Sequence, residues 1–231
     1  MDIRLLRGIT AAAAVLVAST GTAFAEGYLL PELIAGVPHF RPFGWSADGA
    51  FAWLSSRDID GRGGTVYTYT VYDAVEDAVV YTHSDDSFDW GQDVDATEEE
   101  SWSRSGGEVS AALWKYRIVQ SRSVTMEAFP LQRGGDLYTA SLKLRNDPSK
   151  DEYADQIVQS YSVILSSRSR GSKVVTTQDE VGAAKVKLDG YILSPLEPRI
   201  LVVVSVQTRA FEGYETLPHF YGAHLGLGFK K

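Results

Sequence analysis

Residues 65–72 read Thr-Val-Tyr-Thr-Tyr-Thr-Val-Tyr, eight consecutive side chains that are all β-branched or aromatic. Such side chains lose rotamer freedom in a helix but fit a pleated surface, so this run is a strand. The same period of two recurs. Tyr138, Ala140, Leu142 and Leu144 alternate with Thr139, Ser141, Lys143 and Arg145. Ile157, Tyr161, Val163 and Leu165 alternate with Ser160, Ser162 and Ser166, and Ala184, Val186 and Leu188 with Lys185 and Lys187. Successive side chains of a strand point to opposite faces, so each run has one buried and one wet face. Ile200 to Val204 is apolar at every position and is expected to be a central strand. Gly, Asp, Asn and Pro clusters lie between the runs, at Asp60-Gly61-Arg62-Gly63-Gly64, Asn146-Asp147-Pro148-Ser149, Ser169-Arg170-Gly171 and Asp189-Gly190. The reading is a mainly β fold of antiparallel sheets, sandwich-like or partly propeller-like.

One segment breaks this rhythm near the middle. Thr97-Glu98-Glu99-Glu100 has the spacing of a capping box. Val109, Ala112, Leu113 and Tyr116 then fall at i, i+3, i+4 and i+7, one face of an amphipathic helix. Gly106 and Gly107 are expected to break or delimit it. Two turn–strand junctions look alike, Phe43 to Trp53 and Leu193 to Val203; each runs from Ser through turn residues into an apolar strand. A propeller needs several such units at a fixed period, so two are read as ordinary junctions. No low-complexity linker divides residues 26–231, which are read as a single domain.

Residues 1–25 have the layout of a cleaved signal peptide. Arg4 and Arg7 precede an apolar run from Ile9 to Ala18, and Ala23-Phe24-Ala25 offers a small-x-small site with cleavage between Ala25 and Glu26. The run is short of the roughly twenty apolar residues that span a bilayer. The expectation is an exported protein, periplasmic or extracellular, soluble after cleavage and without integral membrane insertion. With no cysteine, the chain has no disulfide, thiolate metal site, cysteine nucleophile or thioether-linked lipid. The leader carries Asp2, Arg4 and Arg7, a net of +1, so its removal takes the formal charge from −8 to −9. That balance repels nucleic acid and anionic membranes. A membrane β-barrel fits poorly, because few segments reach ten alternating residues.

Taken in order, several stretches resemble a bacterial family of predicted secreted proteins, domain of unknown function 2259. They are Gly44-Trp45-Ser46-Ala47-Asp48-Gly49-Ala50-Phe51-Ala52 followed by the Tyr-rich strand to Asp73; the helical stretch closing on Leu113-Trp114-Lys115-Tyr116-Arg117-Ile118; the strands from Asp136 to Leu188; and Leu193-Ser194-Pro195 through Val206, ending in Arg209-Ala210-Phe211-Glu212-Gly213. The last is the most specific, although Ala210 stands where the family has glycine, and the cysteines of many members are missing. The resemblance implies export and a β-rich fold. It implies no activity and no catalytic residues.

Candidate chemistry is sparse. His219 and His224 are five apart, on opposite faces of a strand, and no metal motif includes them. Asp85, Asp89, Asp93 and Asp95 lie in an acidic stretch, but a calcium loop starting at Asp85 finds Trp90 and Ala96 where glycine and glutamate are required. No G-x-S-x-G elbow is present, no motif calls for a cofactor, and no carboxylate pair is marked by spacing. Tyr67 and Tyr69 share one strand face, and Trp45 and Trp53 are close in sequence. Such rings either stack on a ligand or pack across strands. The functional expectation is a non-enzymatic binding or structural module of the cell envelope. Tyr67, Tyr69, Trp45 and Trp53 are its candidate contacts to an envelope protein, peptide or glycan. The alternative is an envelope hydrolase using carboxylates.

Overall fold

A computed structural model describes residues 27–37, 39–59, 63–91, 96–121, 123–150, 156–211 and 213–231. The leader and its Ala25–Glu26 junction lie outside them. Thirteen strands and one long helix follow in order: β1 (Phe40–Trp45), β2 (Ala50–Asp58), β3 (Thr65–Asp73), β4 (Ala78–Asp86), α1 (Glu98–Lys115), β5 (Val119–Gln120), β6 (Met126–Glu127), β7 (Leu131–Arg133), β8 (Asp136–Asn146), β9 (Val158–Ser167), β10 (Gly171–Gln178), β11 (Lys185–Leu193), β12 (Arg199–Ala210) and β13 (Gly213–His224). No helix among the described residues is long and apolar enough to cross a membrane.

The strands form three antiparallel sheets. The helix-side sheet has the order β4-β3-β2-β1-β5, the distal sheet β10-β9-β8-β7, and the central sheet β13-β12-β11-β6. The central sheet is covered on both faces. Ile200, Val202, Val204 and Val206 of β12 pack with Tyr161, Val163 and Leu165 of the distal sheet. Leu201 and Val203 pack with Phe40, Phe51 and Trp53 of the helix-side sheet. A strand buried on both faces gains nothing from alternation, hence the unbroken apolar run at 200–204. β13 is an edge of this sheet and carries Pro218, which has no N–H to offer a foreign strand.

α1 covers the outer face of the helix-side sheet. Thr97 Oγ1 accepts from Glu100 N at 3.2 Å and Glu100 Oε2 accepts from Thr97 N at 2.9 Å, completing the capping box. Val109 and Leu113 meet Tyr67, Tyr69 and Val71. The two glycines neither break nor delimit the helix, which runs through them to Lys115. A Cβ at Gly106 would sit 3.0 Å from the Trp102 ring, so the missing side chain lets that indole lie along the helix. Each helical glycine costs about 1 kcal/mol relative to alanine, and the cap and buried face offset it.

The two look-alike junctions meet. Ser46 Oγ accepts from Ala50 N at 2.9 Å, and Ser194 Oγ accepts from Glu197 N at 3.3 Å; both serines are buried. Gly49, at φ +90°, leaves room for Glu197, which pairs with Arg199 at 2.9 Å. Arg199 in turn donates to Ala74 O at 2.8 Å, joining the central sheet to the β3–β4 turn.

In the distal sheet, Asp136 clamps the β9–β10 turn. It accepts from the hydroxyls of Ser167 and Ser169, the latter at 2.7 Å, and from Leu137 N at 2.9 Å. The Ser167 and then the Ser169 hydroxyl stabilise its charged form and lower its pKa from 3.8 to about 2. A carboxylate depressed on folding contributes stability above its unfolded pKa and loses it as pH falls through the folded one. Wild type is therefore expected to lose this contribution between about pH 4 and pH 2. Asp136→Asn should melt lower at pH 7 and show a flatter Tm profile over that window. Parallel Tm–pH curves for the two proteins would contradict the clamp.

Candidate ligand-binding cleft

The helix-side and central sheets are bolted together at one end by aromatic rings. Phe40 and Trp53 each lie 4.9 Å, centroid to centroid, from Phe220. Beyond Trp53 and Phe220 the facing residues become shorter, and hydroxyl side chains are interspersed with Val66 and Pro218. The hydroxyls are those of Ser55, Thr68 and Thr70 on β2 and β3 and of Thr216 on β13. Twisted sheets diverge unless large side chains fill the wedge. Here they diverge, and a cleft of about 710 Å³ opens, a size that accommodates small ligands or a chain segment.

The rim is built from the β2 end and the β12–β13 hairpin. Arg57 of β2 forms an ion pair with Glu215 of β13, linking the two sheets across the opening. Arg209 lies over the Tyr214 ring at 5.6 Å. Phe211, at the hairpin tip, is 79 % exposed, and Tyr214 is 48 % exposed. The carboxylates here are engaged: Asp58 accepts from Thr65 Oγ1 at 2.8 Å, and Glu215 holds Arg57. The floor is a mesh of hydroxyls. Thr68 Oγ1 is 3.3 Å from Ser84 Oγ, and Thr216 Oγ1 accepts from Gln207 Nε2 at 3.3 Å.

Of the four aromatic contacts expected from sequence, only Trp53 reaches the cleft, at its inner end and 9 % exposed. Trp45 is buried in the inter-sheet core, where its indole N–H has no hydrogen-bond partner among the described residues. Tyr67 and Tyr69 are on the other face of the sheet, under α1. Tyr67 donates to Ala96 O at 2.6 Å and stacks on Trp90, and the Tyr69 hydroxyl is 2.9 Å from Ser101 Oγ. Burial pushes the Tyr69 pKa up to about 12. The aromatic strand face is the docking surface of the helix, so these rings are core and not ligand contacts. Phe211, Tyr214, Arg57 and Glu215 are the cleft residues that sequence reasoning missed. The available signal was an aromatic residue, Phe211, two positions before a glycine in a hairpin turn, where no partner strand can cover it.

A second constellation lies under α1. Ser105 Oγ is 3.0 Å from His83 Nε2, and His83 Nδ1 is 3.2 Å from Glu108 Oε1. These are the distances of a nucleophile, base and orienting carboxylate. However, the buried Ser105 hydroxyl also donates to Asp85 Oδ2 at 3.0 Å, and Asp85 accepts from Trp90 Nε1 at 2.7 Å. The large cleft opens on the other face of this sheet. The group is a polar latch between α1 and β4. Among the described residues no three His, Asp or Glu side chains converge as a metal site; Asp93 and Asp95 lie outside them.

No family model, curated protein or solved structure matches the chain. The functional reading therefore rests on the cleft.

Proposed function

We propose that this chain is an exported binding module of the bacterial cell envelope, without catalytic activity of its own. In this reading the leader is cleaved between Ala25 and Glu26, and residues 26–231 work as a soluble domain in the periplasm or outside the cell. The chain belongs with the predicted secreted proteins it resembles. Its partner is an envelope protein, peptide or glycan held in the cleft between the helix-side and central sheets, and not a nucleic acid. The cleft carries the reading. It is preformed by two sheets whose separation is set by the Phe40–Trp53–Phe220 cluster, and exposed rings stand at its mouth. Preorganisation of this kind lowers the ordering cost of binding.

The test uses the isotopically labelled mature chain titrated with soluble muropeptides, envelope oligosaccharides and periplasmic peptides. Saturable amide shifts are expected at Ser55, Thr70 and Thr216. The Phe211→Ala/Tyr214→Ala double variant should bind about tenfold more weakly with an unchanged Tm. Shifts confined to another surface, or undiminished affinity in the double variant, would remove the cleft from the function.

A further inference from the structure

We infer that the cleft's ligand is a neutral, hydroxyl-rich chain, an oligosaccharide; this rests on the cleft being the binding site. Charge comes first. Two arginines, Arg57 and Arg209, are matched by two carboxylates, Asp58 and Glu215. Two histidines, His39 and His219, also line the cleft, and burial lowers the pKa of His219 and so favours its neutral form. A site of this balance neither selects an acidic ligand nor a basic one.

The floor supplies the second argument. Ser55, Thr68, Thr70 and Thr216 present hydroxyls, each both donor and acceptor, and at the rim a guanidinium and a carboxylate stand side by side at Arg57 and Glu215. Ligand hydroxyls also give and take hydrogen bonds, and this lining can satisfy both roles. An apolar peptide side chain would cover these groups without using the hydrogen-bonding capacity they retain beyond their partners in the protein.

Backbone recognition is the third point. A peptide adding as a strand needs a free edge. β2 lies between β1 and β3, and β3 between β2 and β4, so the floor's backbone groups are spent within the sheet. The edge available at β13 is interrupted by Pro218. The exposed Phe211 ring at the mouth completes the arrangement, offering a flat apolar face to the C–H face of a sugar ring.

The inference is tested with the mature chain and four probes: chitotetraose and cellotetraose as neutral glycans, tetragalacturonate as an acidic one, and an uncharged hexapeptide. Calorimetry gives affinity and amide shifts give location. At least one neutral glycan is expected to bind with shifts confined to the cleft. Phe211→Ala should weaken it about five- to tenfold. Thr68→Val, which deletes one hydroxyl while keeping strand propensity, should weaken it several-fold, whereas Val174→Ser on the outer face of the distal sheet should change nothing. Circular dichroism checks that each variant is folded. With no neutral glycan bound, cleft binding by tetragalacturonate overturns the neutrality of the ligand, cleft binding by the peptide overturns the oligosaccharide assignment, and both leave the cleft reading standing. Binding only outside the cleft overturns both, and failure of every glycan to bind overturns the assignment.

Discussion

Leu201→Ala should lower the unfolding free energy by about 2–5 kcal/mol, measured as a fall in denaturant midpoint at constant m-value. Leu201 is fully buried in β12 and points between the central and helix-side sheets. Its neighbour Ile200, also fully buried, points between the central and distal sheets. The double variant loosens both interfaces from one strand. With domain stabilities commonly about 5–15 kcal/mol, it is expected to be largely unfolded at 37 °C. A cost below about 1 kcal/mol for Leu201→Ala would mean that the two sheets are not packed as described.

Gly222→Ala should be nearly as damaging for the opposite reason, since it adds an atom where none fits. A Cβ there would lie 2.0 Å from Ala74 O and 2.8 Å from Ala74 Cα. The obstacle is backbone and cannot rotate away. Gly222 also donates its N–H to Asp77 Oδ1 at 2.8 Å, and Asp77 accepts from the Tyr72 hydroxyl. The β3–β4 turn is thus seated directly on β13, and one methyl group lifts it off. Overpacking of this kind costs about 3 kcal/mol. Thermal unfolding should show a Tm lower by many degrees. Gly134→Ala is the comparison for added volume, because Gly134 has open space around its Cβ direction, although its φ of +59° brings a small strain of its own. Equal Tm losses for the two would show that contact with Ala74 is not the cause.

Much of this architecture was legible because its physics is local. Alternation marked β8 and β9, the all-apolar run at 200–204 marked a strand covered twice, and Thr97 with Glu100 marked the helix start. The Gly106–Gly107 reading failed because propensity is a weak bias that packing overrides, here the Trp102 ring lying along Gly106. The aromatic residues were ambiguous for a related reason. Tyr67 and Tyr69 look alike whether their strand face meets a ligand or a helix, and only the placement of α1 decides. The cleft was not legible at all. It depends on β2 and β3 facing β13 from more than 140 positions away, a juxtaposition that no spacing rule encodes.

Apart from the two-residue β6, the strands of the sheet in the middle of the stack are the last to appear along the chain. Residues 40–86 and 131–178 each make a hairpin array, yet neither can bury its inner face until β11 to β13 arrive between them. Early segments therefore wait as half-wetted sheets, and the closing contacts span long stretches of sequence, which slows folding. A chain built this way stays incompletely folded until its last strands have been made. The same order makes loss of the final strands a failure of the whole molecule, not of one layer.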